Sequence, residues 1–163
     1  MDKTLSEMGG GVSRRDFIKA SAVAAVAVAL PGKVMAAAAD KIKVGLIGCG
    51  GRGNGAINDC RSAAGKLNLQ IEVVAVADWF KDRAEKTGQR LGVPAERCFA
   101  GADAYKKVLA TDVNLVLLAT APNFRPVHFE AAINAGKNVF MEKPVAVDPP
   151  GARRVMAAGE LAK

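Results

Sequence analysis

The sequence has few of the residues from which metal centres, disulfide frameworks and nucleic-acid surfaces are built. Its 163 residues include three cysteines, one histidine and 5% aromatic residues. Cys49, Cys60 and Cys98 lack the spacing of metal ligands, so we predict no metal site. The net charge of +7 is not gathered into a run of Lys and Arg interleaved with aromatic side chains, and nucleic-acid binding is therefore not expected.

A long hydrophobic segment is also missing, but the N-terminal residues have the features of an export signal. The uncharged run Ala20–Leu30 is too short to span a bilayer, which needs about 20 apolar residues. It follows Ser13–Lys19, which reads Ser-Arg-Arg-Asp-Phe-Ile-Lys and fits the twin-arginine pattern. Small residues then permit cleavage after Ala36 or Ala38. We therefore predict a signal over residues 1–38, recognition by the twin-arginine export machinery, and a periplasmic or secreted destination.

Beyond the leader, segments with the period of a strand alternate with segments of helical period. Strands are predicted over Ile42–Ile47, Ile71–Ala77, Arg97–Phe99, Val113–Thr120 and Asn138–Met141. Helices are predicted over Ala56–Leu67, Phe80–Leu91, Ala104–Ala110 after Asp103, Phe124–Ala135, and from Pro149 onward with Asp148 as N-cap. Alternation with such short turns predicts an α/β fold over residues 40–163, in which a doubly wound parallel sheet carries helices on both faces.

A glycine-rich turn joins the first predicted strand to the first helix. Gly48, Gly50 and Gly53 fit the pattern Gly-x-Gly-x-x-Gly, with Gly51 and Arg52 between the last two. The first glycine permits a tight turn, the second lets a pyrophosphate approach the backbone, and the third lets the helix pack on the strand. Free N–H groups at the helix N-terminus then bind the anion. We predict that all five residues contact a dinucleotide.

The carboxyl ends of the later strands supply further candidate cofactor contacts. Asp78 ends the second strand, where a carboxylate accepts hydrogen bonds from ribose hydroxyls and repels a 2′-phosphate. This favours NAD, while Lys81 and Arg83 nearby keep NADP as an alternative. Asp78 has a structural alternative as well, since it could cap the following helix. The loop after the fourth strand lies where strand order reverses, and it adds Thr120, Ala121, Pro122, Asn123 and His128 as predicted contacts.

Lys143 is the candidate catalytic residue. It follows the fifth strand, between Glu142 and Pro144, and a side chain at that strand end is expected near the nicotinamide. Repulsion from an oxidised nicotinamide ring favours the neutral form of a lysine, which suits proton transfer near neutral pH. Glu142 and Lys143 are also predicted to contact the cofactor. The structural alternative is a solvated lysine beside a proline that shapes the loop.

Together, these motifs resemble the Gfo/Idh/MocA family, the glucose–fructose oxidoreductase and inositol dehydrogenase group. The likeness covers residues 40–163. It is carried most specifically by Glu142-Lys143-Pro144, and further by Gly48–Gly53, Phe124-Arg125-Pro126 and His128. It implies an NAD(P)-dependent oxidoreductase of sugars, cyclitols and related hydroxyl compounds, with Lys143 in the proton relay. It also implies homo-oligomers for full-length relatives. Ala121 and Asn123 differ from the commoner residues of the family.

The resemblance further implies a C-terminal α/β domain that binds the substrate, and no residues after Lys163 correspond to it. The last strand of the dinucleotide fold is missing too, so we expect this polypeptide alone to be weakly stable and without turnover. Three alternatives stay open. They are an NAD-dependent glycosidase of the same fold, a non-catalytic nucleotide-binding module, and a methyltransferase, which would leave Lys143 unexplained.

Overall fold

The computed structural model describes residues 41–163, and the leader predicted over residues 1–38 lies outside them. Within the described residues, strands and helices alternate along the chain. The strands are β1 (Ile42–Ile47), β2 (Ile71–Asp78), β3 (Cys98–Ala100), β4 (Leu115–Leu118) and β5 (Asn138–Met141). The helices are α1 (Gly51–Lys66), α2 (Lys81–Leu91), α3 (Ala104–Leu109), α4 (Arg125–Asn134) and α5 (Pro149–Leu161).

These strands form one parallel sheet in the order β3-β2-β1-β4-β5. Strand β1 pairs with β2 on one side and with β4 on the other, so the chain order reverses between β1 and β4. In open sheets of this kind, ligands bind outside the carboxyl ends of the strands at the point of reversal. The predicted doubly wound α/β fold is confirmed, and its topology indicates where a site should lie.

The core lies in two layers because side chains alternate between the faces of the sheet. The layer toward α1 contains Val44, Leu46, Ala56, Ile57, Val73, Val76 and Leu117, all buried. The opposite layer, toward α3 and α4, contains Ile47, Ala75, Ala77, Val108, Val116, Leu118 and Ala132, also buried. Strands covered on both faces read as nearly continuous apolar runs, which is why β1, β2 and β4 were visible in the sequence.

Strand β4 is shorter than the predicted Val113–Thr120. At its start, Asn114 pairs with β1 partly through its side chain, whose Oδ1 accepts the Lys43 N–H at 2.9 Å, while the Asn114 N–H donates to the Lys43 carbonyl at 2.9 Å. The side-chain amide takes the place of a backbone carbonyl, so regular pairing begins only at Leu115. At the other end, Thr120 belongs to the loop that follows the strand.

The helix boundaries agree with the sequence signals within one or two residues, except that α1 already begins at Gly51. Asp148 is the N-cap of α5, and its Oδ1 accepts the Gly151 N–H at 2.8 Å. Asp103 precedes α3 as predicted, but its carboxylate makes no capping bond and instead contacts Lys106 at 2.7 Å. Over residues 41–163, no helix combines the length and apolar character required to cross a membrane.

Candidate functional site

The glycine-rich turn lies at the carboxyl edge of the sheet, between β1 and α1. Gly48 has φ +102°, and a Cβ there would lie 2.6 Å from the carbonyl carbon of Ala119. A Cβ on Gly53 would lie 1.8 Å from the Gly48 carbonyl oxygen. Glycine is required at both positions, because any side chain would collide with backbone atoms. The turn is therefore pressed against the loop after β4 on one side and against α1 on the other.

Gly50 and Gly51 face open space instead. Among residues 41–163, a Cβ on either residue would meet nothing within 4 Å, and no side chain caps α1 at its N-cap residue, Gly50. The first N–H groups of a helix lack partners within the helix, and the helix dipole makes this end positive. The turn therefore offers free donors and room for a phosphate to approach, which fits the pyrophosphate of a dinucleotide.

Cys49, between these glycines, is a packing residue. Its side chain is buried, and its Sγ lies 3.4 Å from the Ala77 carbonyl oxygen. Burial raises the pKa of the Cys49 thiol to about 12, so the thiol keeps its proton at neutral pH. A thiolate is the reactive form of cysteine, so the Cys49 side chain is not expected to act as a nucleophile at neutral pH.

Asp78 links the turn to the beginning of α2. The carboxylate is buried, and each of its oxygens accepts a backbone N–H: Oδ2 from Cys49 at 2.8 Å and Oδ1 from Phe80 at 3.0 Å. Phe80 is the N-cap residue of α2, so this bond fixes the chain just before the helix, although Asp78 is not itself the cap that the sequence offered as an alternative. Because Asp78 also lines the cavity described below, this role leaves its side chain beside the space for a ligand.

Arg52 connects the turn to the residue that follows β5. Its Nε and Nη2 both lie 2.5 Å from Glu142 Oε1. The hydrogen bond from Arg52 holds the pKa of Glu142 below its ordinary value, so the carboxylate is charged at neutral pH. Two residues predicted as separate cofactor contacts are therefore partners of each other. The pair links the start of α1 to the residue after β5, whereas Asp78 links the turn to the end of β2.

The loop after β4 brings only some of its predicted residues to the cavity. Thr120, Ala121 and His128 line it, whereas Pro122 and Asn123 do not. His128 is buried, and its Nδ1 lies 3.3 Å from Thr120 Oγ1. Burial lowers the pKa of His128 to about 4, and the imidazole is therefore neutral near pH 7. This residue packs as an uncharged ring.

Arg125 connects two loops of the site, although it was not among the predicted site residues. It is 6% exposed, and its guanidinium donates to the carbonyls of Thr120 at 2.7 Å, Glu142 at 2.8 Å and Pro144 at 2.6 Å. It thereby fixes the loops after β4 and β5 to each other. One signal could have found it, since a positive charge in the first turn of a helix opposes the helix dipole and suggests a specific partner.

Lys143 lies at the same edge of the sheet, as the second residue after β5. The Glu142 N–H continues the sheet pairing by donating to the Leu118 carbonyl at 3.0 Å, and the Arg125 bonds hold the backbone on both sides of Lys143. The Lys143–Pro144 peptide is cis. The Lys143 side chain is exposed and does not line the cavity. Its catalytic role stays a prediction.

A cavity of about 400 Å³ opens between the carboxyl ends of β1, β2 and β4. Its wall combines the turn and Asp78 with aromatic side chains, namely Trp79, Phe80, Tyr105, Phe124 and His128. The volume lies within the range of small-molecule and cofactor sites. Residues 41–163 contain no group of three or more His, Cys, Asp or Glu side chains arranged to hold a metal ion. A glycine-rich turn, an acidic residue and a cavity meet here, where the strand order reverses between β1 and β4. These features together define a nucleotide-binding α/β domain.

The chain belongs to the Gfo/Idh/MocA oxidoreductase family. Residues 42–162 match the family's NAD-binding Rossmann-fold domain, which confirms the predicted resemblance and the predicted class of cofactor. Residues 11–31 match the signal sequence of the twin-arginine translocation pathway. This confirms the predicted export signal and indicates transport by the twin-arginine machinery to the periplasm or beyond.

Similar proteins are longer than the matched part of this chain. An inositol 2-dehydrogenase from Pseudomonas savastanoi pv. phaseolicola is 38% identical over 120 residues, which are 72% of this chain and 33% of that protein. A glycosyl hydrolase family 109 protein from Streptomyces coelicolor is 36% identical over 117 residues, 69% of this chain and 24% of that protein.

Among solved structures, a 3-ketoreductase from Actinomadura kijaniata in complex with NADP superimposes with a TM-score of 0.55 at 30% identity. The superposition covers 74% of this chain and 36% of that chain. Because the family description names NAD and this similar structure contains NADP, the comparisons leave both forms of the cofactor open.

Proposed function

We propose that residues 40–163 are the NAD(P)-binding part of an exported oxidoreductase whose signal occupies residues 1–38. In the complete enzyme, a hydride passes between the nicotinamide and a carbon that bears a hydroxyl group of a sugar or cyclitol. The observation that carries this proposal is the meeting of three features at one sheet edge. They are the uncapped N-terminus of α1, the buried carboxylate of Asp78, and the cavity between them.

Each part of the site supports one part of the dinucleotide. The free N–H groups beside Gly50 and Gly51 would bind the pyrophosphate. Asp78 would accept hydrogen bonds from a ribose, since each carboxylate oxygen has lone pairs beyond the one used by the backbone. Thr120 and Ala121 would contact the cofactor from the loop after β4. When bound, the nicotinamide supplies a carbon that accepts or donates the hydride.

Lys143 is the residue that we propose for proton transfer. Removing a hydride from an alcohol carbon leaves the hydroxyl proton to be accepted by a base, and a neutral lysine amine can accept it. Two hydrogen bonds from Arg125 support this role, because they fix the carbonyls of the residues on either side of Lys143. A fixed backbone lowers the cost of holding the amine in one position.

The sugar or cyclitol class of substrate rests on similarity to an inositol 2-dehydrogenase. Because the match spans 33% of that protein, the residues that select the substrate are proposed to lie outside this part. The likeness to a glycosyl hydrolase family 109 protein favours a second candidate, an NAD-dependent glycosidase. For both candidates we propose a homo-oligomeric complete enzyme.

A binding titration of the 163-residue chain tests the cofactor proposal. Nicotinamide fluorescence of NADH and NADPH should rise and saturate when the chain is added. Phe140→Leu serves as a control, because Phe140 lies on β5 and does not line the cavity. If a chain that is folded by circular dichroism produces no saturable change with either nucleotide, the proposal is wrong.

A turnover assay separates the two enzymatic candidates. The enzyme that contains this domain is supplied with NAD and with free sugars, cyclitols or glycosides. Net NADH production from free sugars or cyclitols supports the dehydrogenase. Cleavage of glycosides without net NADH production supports the glycosidase. Lys143→Met should abolish oxidation of the hydroxyl while leaving the dissociation constant of NADH within about threefold.

A further inference from the structure

We propose that Glu142 is a positioning residue for proton transfer, and that Arg52 and Arg125 hold it so that the backbone of Lys143 is fixed at the carboxyl edge of the sheet. The inference rests on the proposed function, because it takes Lys143 as the residue that accepts the proton. The sequence pattern predicts Glu142 as a cofactor contact, but the residue is 7% exposed and does not line the cavity. A different role is therefore assigned to it.

The polar groups of Glu142 are bound by partners from three different elements. Its N–H donates to the carbonyl of Leu118, the last residue of β4, at 3.0 Å. Its carbonyl accepts from Nη1 of Arg125, in the first turn of α4, at 2.8 Å. Its carboxylate oxygen Oε1 accepts from Nε of Arg52, in the first turn of α1, at 2.5 Å. Together, β4, α4 and α1 therefore determine where the loop that contains Lys143 begins.

Arg125 also binds the residue that follows Lys143. The same nitrogen, Nη1, donates to the Pro144 carbonyl at 2.6 Å, so one guanidinium holds the backbone on both sides of Lys143. Arg125 is 6% exposed, and burial lowers its pKa, which shows that the charge is partly removed from water. A buried charge contributes little to stability by itself. The bonds of Arg125 are therefore better explained by the loop conformation that they fix.

Proton transfer is sensitive to this kind of positioning, because a base must lie within hydrogen-bond reach of the proton that it accepts. The Lys143 side chain is long and exposed, so the fold controls its amine mainly through the backbone. A displacement of about 1 Å can lower a rate about 100-fold. The proposed cofactor contacts at the glycine-rich turn and Asp78 do not use the carboxylate of Glu142. Loosening Glu142 should therefore slow catalysis and leave cofactor binding nearly unchanged.

Steady-state kinetics of the enzyme that contains this domain test the inference. Arg52→Met and Glu142→Leu should each lower kcat about tenfold, a part of the loss that a displacement of about 1 Å produces. The dissociation constant of NADH, followed by nicotinamide fluorescence, should stay within about threefold of the wild type. Glu142→Gln keeps an oxygen that accepts a hydrogen bond and should retain more of kcat than Glu142→Leu. In the double variant Arg52→Met/Glu142→Leu, kcat should fall no further than in Glu142→Leu, because Arg52 acts through that carboxylate.

An isotope effect distinguishes positioning from a general loss of folded enzyme. If proton transfer becomes slower in Arg52→Met, the solvent deuterium isotope effect on kcat should rise above that of the wild type. Loss of folded enzyme lowers kcat without changing this effect. Arg154→Met is the matched control, because it also removes an exposed arginine, whose Nε donates to Glu130 at 2.8 Å between α4 and α5. It should change neither kcat nor the isotope effect.

Amide hydrogen exchange of the 163-residue chain provides a readout that needs neither cofactor nor turnover. The Glu142 N–H, which donates to the Leu118 carbonyl, should exchange about tenfold faster in Arg52→Met, because a local contact that restrains this strand end is lost. The Ala119 N–H is the internal reference, since it makes the same type of bond to the Ile47 carbonyl at 2.8 Å. Its exchange rate should not change.

The outcomes separate this inference from the proposed function. If Lys143→Met keeps wild-type turnover, the proposed proton transfer is wrong and this inference is wrong with it. If Lys143→Met abolishes turnover but Arg52→Met and Glu142→Leu keep the wild-type kcat, only the inference is wrong. A weaker affinity for NADH with unchanged kcat in Arg52→Met would make Arg52 a cofactor contact and overturn it. Equal acceleration of exchange at Glu142 and Ala119 would overturn it too. Should Glu142→Leu fail to fold, Arg52→Met provides the same test.

Discussion

Two buried carboxylates stand on opposite sides of the glycine-rich turn, and they are held in different ways. Asp78, at the end of β2, is 9% exposed and accepts backbone N–H groups of Cys49 and Phe80. Glu142, after β5, is 7% exposed and is held by the guanidinium of Arg52. Both connect the turn to the end of another strand. One carboxylate uses the backbone as its partner and the other uses a side chain.

This difference determines how easily each contact is lost. Backbone donors are present whatever the neighbouring side chains are, so the bonds of Asp78 depend on the conformation of the turn. The contact of Glu142 depends on one residue 90 positions away in the sequence. A single substitution can remove the Arg52–Glu142 pair, whereas the donors to Asp78 are removed only by distorting the backbone.

The largest effect is expected from distorting the turn itself. Gly53→Ala would force a Cβ to within 1.8 Å of the Gly48 carbonyl oxygen. We expect a loss of about 3 kcal/mol in the free energy of unfolding, measured by urea denaturation. Gly65→Ala is the matched control in the same helix, because its Cβ meets nothing within 4 Å. That control should be neutral or stabilising by up to about 1 kcal/mol; equal losses at both positions would contradict the collision.

A smaller effect is expected at the backbone-held carboxylate. Asp78→Asn keeps the shape but replaces one accepting oxygen by an amide donor, which leaves one buried N–H without a partner. The free energy of unfolding should fall by about 2 kcal/mol, and NADH should bind less tightly. Glu96→Gln, which makes the same carboxylate-to-amide change at an exposed position, is the control. An unchanged stability of Asp78→Asn would mean that the two backbone bonds contribute little.

His128 is expected to make the free energy of unfolding depend on pH. Its contribution must be removed before acid titration can compare the two carboxylates. Burial lowers the pKa of His128 from 6.5 to about 4, so the stability that it contributes is present above pH 6.5 and is lost as the pH falls toward 4. The loss should be on the order of 1 kcal/mol by pH 5.5. His128→Phe should remove this part of the pH dependence in urea unfolding. If the variant follows the wild-type profile between these values, the assignment is wrong.

The smallest effect at neutral pH is expected from Arg52→Met, since water can reach the half-exposed position of Arg52 and solvate part of Glu142. The pKa of Glu142 is held below its ordinary value of 4.5, first by the hydrogen bond from Arg52. Stability from this pair is therefore present above pH 4.5 and is lost as the pH falls through the lowered pKa. The difference between wild type and Arg52→Met should shrink on acidification below 4.5. A difference that grows instead would contradict the ion pair.

Local signals predicted much of the site. Gly48 and Gly53 were recognised because their spacing follows a strand and opens a helix. Asp78 and Lys143 were recognised because each lies at or just after the carboxyl end of a strand, and parallel strands bring their carboxyl ends to one edge. Asp148 was recognised as an N-cap because Pro149 follows it. In each case the signal lies within a few residues, and it describes backbone geometry.

Other parts of the site depend on contacts that no local pattern contains. The three carbonyl partners of Arg125 lie in two separate loops. Pro122 and Asn123 belong to the predicted loop but do not line the cavity, because the direction of each side chain depends on how the loop turns. The rings of Trp79 and Phe124 stack with their centroids 5.7 Å apart, although the two residues are far apart in the sequence.

The amino-acid sequence by itself determined the order of strands and helices, the glycine turn, the strand-end residues and the export signal. Periodicity and turn chemistry act between neighbours in the chain, so they can be recognised without a structure. Only the tertiary structure decided which buried charge meets which donor, and which exposed rings meet across the cavity. These pairings arise when the sheet brings distant strand ends together, and only then do burial and distance fix their energies.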